Sequence, residues 1–135
     1  MTPDLFDVQV AMFERLMSEP NITQRVTGVY DYVPEGTNYP YVVLDSFSGD
    51  RNPTTLDQSS RFSLEQVIQV YTSDAIGPKG WQSLRVLVSC VCSLFDGLRL
   101  DVGGRYCQTI VSRFNLIRAE QLTRVGIVTV EVILF

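Results

Sequence analysis

The side chains able to do chemistry in this 135-residue chain are its carboxylates, three thiols and one lysine, because it contains no histidine. That absence removes the commonest general base and the commonest metal ligand, and with them every Ser-His-Asp, Cys-His and histidine-zinc mechanism. Cys90, Cys92 and Cys107 are odd in number, and Cys-Val-Cys has the spacing of neither a redox motif nor a zinc knuckle. Buried, reduced thiols are expected. Asp45, Glu65 and Glu131 remain as carboxylates for an enzyme or ligand-binding domain, the competing class of function. Glu131 matters most in that reading, since an acid on a covered strand face must be paired or carry a shifted pKa.

The short motifs fail on spacing. Gly77-Pro78-Lys79-Gly80 lacks the Gly-x4-Gly-Lys-Ser/Thr order of a phosphate loop, and its proline removes one of the N–H donors such a loop uses. Asp50, Asn52 and Asp57 do not follow the calcium-loop pattern with its terminal glutamate. Neither a metal nor a cofactor is expected. Asn21-Ile22-Thr23 fits a glycosylation sequon but means nothing without export, and Met1-Thr2-Pro3-Asp4 opens acidic rather than as a secretory leader. Tyr30, Tyr32, Tyr39 and Tyr41 could stack nucleobases, yet no basic residue lies between Arg25 and Arg51 to track a backbone. Core or interface packing is the better use of these rings.

Composition narrows the class further. The length fits one domain covering residues 1–135, with no room for a second. Apolar residues make up 45% and charged residues 19%, and no run approaches the ~20 apolar residues that span a bilayer. No membrane partner is expected. A net charge of −4 argues against neutralising many phosphates of duplex DNA. Lys79 is the single lysine among eleven basic residues. Arginine is enriched and lysine depleted at protein interfaces, although genomic codon bias gives the same pattern.

The elements follow from periodicity. Thr2, Pro3 and Asp4 form a helix start, and Leu5, Val8, Met12 and Leu16, with Phe6, Val10, Phe13 and Met17 alongside, predict a helix with a broad apolar face ending near Ser18. Residues 21–40 read as an irregular crossover with a short extended piece. Tyr41–Phe47 and Arg61–Thr72 read as a hairpin, the second strand placing Phe62, Leu64, Ile68 and Val70 on one face. Lys79 to Phe95 reads as a second amphipathic helix closed by Asp96-Gly97. Leu98–Val102 and Arg105–Leu116 flank a Gly103-Gly104 turn, and Leu122–Phe135 is the last strand, partly covered on both faces. The expected fold is α+β: an antiparallel (mixed) β-sheet of about four to five strands packed against two helices, in the order α-β-β-α-β-β.

Two features of this plan favour assembly over catalysis. Strands of about twelve residues span ~40 Å at ~3.3 Å per residue, against a radius of gyration of about 14 Å for a domain this long. Such strands curve strongly or project, and a projecting strand invites a neighbouring subunit. The hairpin loop from Ser48 to Ser60 is also far longer than the two to five residues a hairpin needs. Its residues Asp50, Arg51, Asn52, Pro53, Thr54, Thr55, Leu56 and Asp57, with Arg61 behind them, are the candidate contact to a neighbouring subunit or tube, the alternative being a plain surface loop.

The run Val29-Tyr30-Asp31-Tyr32-Val33-Pro34-Glu35-Gly36, followed by Tyr39-Pro40-Tyr41-Val42-Val43-Leu44, resembles the opening block of the tail-completion family of long-tailed bacteriophages, the head-to-tail joining or tail-terminator proteins. Val67-Ile68-Gln69-Val70-Tyr71-Thr72 and the helix ending in Asp96-Gly97 continue the resemblance over nearly the whole chain, which departs in its longer Asn21 to Gly28 link. The resemblance implies a structural virion protein without catalytic residues. It further implies a homo-oligomeric ring, a hexamer, that caps the tail tube protein and meets the head connector or stopper protein. DNA would pass through the lumen without sequence-specific binding, and the protein would reside in the virion neck after assembly in the host cytoplasm. Another neck component, a connector adaptor or stopper, is the nearest alternative.

Overall fold

In a computed structural model the structure describes residues 5–52, 61–74, 80–102, 104–119 and 122–134. The first helix, α1 (Leu5–Met17), buries Val8, Met12 and Leu16 completely. These recur every four residues and so form one stripe. Of the adjoining stripe Phe13 packs against the core, while Phe6, Val10 and Met17 are 66%, 53% and 49% exposed. A helix packing against one surface covers one arc, and the apolar arc of α1 is wider than that surface.

The link after α1 holds a helical turn, α2 (Pro20–Thr23), which periodicity cannot detect at four residues. Glu19 caps it through the Asn21 N–H, Pro20 starts it, and Ile22 anchors it in the core. Strand β1 (Val29–Tyr30) runs parallel to β2 (Tyr41–Asn52), which pairs antiparallel with β3 (Arg61–Ser73). Helix α3 (Gly80–Phe95) leads into β4 (Leu98–Val102), β5 (Arg105–Arg118) and β6 (Thr123–Leu134). Among the described residues the sheet therefore has six strands, ordered β1-β2-β3-β6-β5-β4, with three helices rather than two. The expected four to five strands fall short because β1 is only two residues long.

The β2–β3 hairpin also corrects the expected loop. Ser48–Asn52, read as the start of that loop, continue β2 in register with Glu65, Leu64, Ser63, Phe62 and Arg61. Their low intrinsic strand preference yields to a long partner whose ladder is already set by β6 on its other side. A bulge separates Leu44, opposite Ile68, from Phe47, opposite Gln66. The fully buried Gln66 amide donates to the carbonyl of Ser46 at 3.3 Å, giving a partner to a group the bulge takes out of the ladder.

One face of the sheet carries the helices. Leu64, Ile68 and Val70 of β3 and Val128, Val130 and Val132 of β6 meet Leu84, Leu87, Val88, Val91 and Phe95 of α3 in one core cluster. Each such side chain contributes about 1.5–3 kcal/mol by leaving water. The end of α3 is closed by Gly97, at φ +80, and by Thr109, whose hydroxyl donates to the Phe95 carbonyl. Helix α1 touches both β1 and β4, strands at opposite edges of the sheet. The sheet is thus curled, and α1 lies across its mouth.

Candidate assembly interface

The residues singled out in the loop fall into two groups. Asp50, Arg51, Asn52 and Arg61 lie in the ladder, with Asn52 opposite Arg61. Pro53, Thr54, Thr55, Leu56 and Asp57 lie outside the described residues. What the structure brings together is the arm on which they sit, two strands joined beyond Asn52 and Arg61.

The carboxylates do not form one site. Glu65 faces Glu131 across β3 and β6 on the side of the sheet without helices, a like-charged pair that costs rather than contributes stability. Asp45 instead accepts a hydrogen bond from Gln69 Nε2 at 3.2 Å, four residues along β3 from Glu65 and so roughly 13 Å away. Among the described residues no group of three or more His, Cys, Asp or Glu could hold a metal. Of the three thiols expected to be buried, Cys90 and Cys92 are only half-buried. Cys107 is fully buried, and burial, with Asp101 adding to it, pushes its pKa up, while burial and then Asp96 do the same for Cys92. Protonated thiols are poor nucleophiles.

The tyrosines stack on one another. Tyr41 lies between Tyr39 and Tyr71, with ring centroids 5.3 and 5.0 Å away, and Tyr30 meets it edge-on at 6.2 Å. Burial first, and neighbouring rings second, raise the pKa of Tyr41; for Tyr71 burial is followed by Asp45 and then Tyr39. With both faces of Tyr41 covered, the ladder holds β1, β2 and β3 together and leaves that ring no room for a base.

A close, largely buried ion pair joins Arg124 at the start of β6 to Asp74 after β3, at 2.7 Å. Asp74 Oδ1 also lies where a Cβ on Gly80 would fall, so the pair fixes the approach to α3 as well as the two strands.

The surface left for partners is concentrated at two sheet edges. On one side β1 covers only Val42 and Val43, so among the described residues the outer edge of β2 from Leu44 to Asn52 has no strand beside it. On the other, β4 pairs with β5 only from Arg105 to Thr109, so among the described residues no strand lies beside Ile110–Arg118. Unpaired ladder edges are templates for another chain. Each has apolar side chains nearby: Val10 of α1, beside Leu44, on the first side, and Phe114 at 62% exposure with Ile110 and Ile117 on the second. The sequence placed Val10 on the broad apolar face of the first helix and did not single out Phe114. A bulge between Val111 and Arg113 shifts the alternation of β5 so that Phe114 falls opposite Val128, on the helix-bearing face but at the edge, where it stays exposed, and nothing in the sequence around Ser112 announces it.

The family described as Tail completion protein gp17 matches residues 10–134. The chain belongs to that family. It is accordingly a structural protein of a phage-type tail and not an enzyme. Among solved structures, a chain from the "Virion of native gene transfer agent (GTA) particle" shares the tail-completion fold with TM-score 0.76 and 22% identity, over 95% of each chain. A second solved chain is similar with TM-score 0.63 and 10% identity, over 98% of this chain and 96% of that one. No curated protein matches by sequence.

Proposed function

We propose that the protein assembles as a homo-oligomeric ring, a hexamer, that caps the tail tube and joins it to the head connector or stopper. The observation that carries this reading is the pair of unlike open edges, β2 beyond Leu44 and β5 beyond Thr109, on a chain of the tail-completion family. Identical subunits joined through two different surfaces make a heterologous interface, which closes into a ring when the rotation allows. The solved relative in a gene transfer agent particle belongs to a virion, and the same setting is proposed here. DNA passes through the lumen without sequence-specific contact, in keeping with a chain of net charge −4. The β2–β3 arm, including Asp50 to Asp57 and Arg61, reaches a neighbouring subunit or the tube.

The test is the mass of the purified protein by light scattering, with particle imaging, free and on purified tail tubes. A ring, either free or at the tube end, is expected. A compact monomer at all concentrations, with no affinity for tubes, overturns the reading, and binding to the portal complex in place of the tube transfers the protein to the connector side of the neck.

A further inference from the structure

The two sheet edges are related by a register that runs straight across the fold. Leu44 lies opposite Ile68, Ile68 opposite Val128, and Val128 opposite Phe114. Phe114 and Leu44 therefore occupy one transverse row, at its two ends. Phe114 stands out from β5, 62% exposed. Leu44 lines a cavity of 140 Å³ between α1 and β2, together with Val10, Phe13, Gln9 and Asp31. An apolar cavity of about 150 Å³ accepts a benzene-sized ring.

We infer that Phe114 of one copy of this chain seats in the α1–β2 groove of the next, and that this contact is the subunit interface. The inference rests on the ring reading and gives it an address. The groove side of α1 is built for such a contact: Phe6, Val10, Phe13 and Met17 fall within about 60° of one another at ~3.6 residues per turn, the pattern of a docking helix face. Charge agrees in sign. The exposed Arg113 stands next to Phe114, with Arg118 further along β5, whereas Asp31 lines the groove and Asp7 and Glu14 are exposed on α1.

The experiment uses Phe114→Glu and Val10→Glu, both at exposed positions, with circular dichroism and melting to establish that each variant folds as the wild type does. By light scattering, each variant alone is expected to stay a single chain where the wild type assembles, free or on tail tubes. Mixed in equal amounts, they are expected to form pairs that grow no further, because one copy keeps an intact groove and the other an intact Phe114. Assembly of either variant like the wild type overturns this interface and leaves the ring reading standing, as does a failure of the mixture to pair. A wild type that never assembles, even on tubes, removes both.

Discussion

A Cβ placed on Gly126 would lie 2.4 Å from Val88 Cγ2 and 3.1 Å from Leu84 Cδ1, so α3 approaches β6 more closely there than any side chain permits. The neighbouring contacts of Val128 and Val130 with the core depend on that approach. Gly126→Ala is expected to cost about 1–3 kcal/mol by overpacking, read as a Tm lower by roughly 3–12 °C. The cost should shrink when Val88→Ala is added, because the two side chains compete for one space. Equal losses with and without Val88→Ala would mean that strain lies elsewhere. Alternation from Val128 to Val132 was visible in the sequence and revealed the buried face of β6. The need for glycine at 126 was not visible, because it arises from a helix some forty residues earlier in the chain. Thr109 is similar: a threonine in a strand has no evident duty until its hydroxyl is seen closing α3 at Phe95.

At the scale of elements, both long helices and the hairpins were legible because their patterns repeat over three or more turns or pairs. What was lost was short or imposed from outside. Residues Val29–Tyr30 and Pro20–Thr23 are too brief to show a period, and Ser48–Asn52 became strand only through pairing with Arg61–Glu65. The arm is consequently longer in strand than its sequence implied. If it serves assembly, shortening it beyond the paired positions should spare the domain, since among the described residues the core cluster contains none between Leu44 and Leu64 except the partly buried Phe47. Deleting Pro53 to Asp57 is therefore expected to leave the melting transition within a few degrees of the wild type. The same deletion should abolish ring formation or attachment to the tube, seen by particle imaging and co-sedimentation. Wild-type assembly by the deletion would show that the arm has no part in it.

At the scale of the whole molecule, the curl of the sheet decides how the chain holds together. Strands β1 and β4 lie five positions apart in the sheet order, yet both touch α1. Loosening either edge removes support from the same helix, and Met12 and Leu16 of that helix share one core cluster with Val29 of β1 and Leu100 of β4. No subset of elements can release its apolar face without exposing the rest, which is the condition for all-or-none unfolding in a domain of this size. Calorimetry is expected to give one transition whose calorimetric and van't Hoff enthalpies agree, measured under conditions where the protein is a single chain. Val29→Ala and Leu100→Ala, on opposite edges, should both lower that one transition without splitting it. Val29→Ala, between Ile→Val and Leu→Ala in size, should cost about 1–3 kcal/mol, and Leu100→Ala about 2–5 kcal/mol. Two resolved transitions, one sensitive to Val29 and the other to Leu100, would mean that the edges fold separately and that α1 does not couple them. A molecule closed in this way has its two free ladder edges held at a fixed spacing and height, and that rigidity is what a ring of identical copies requires of each member.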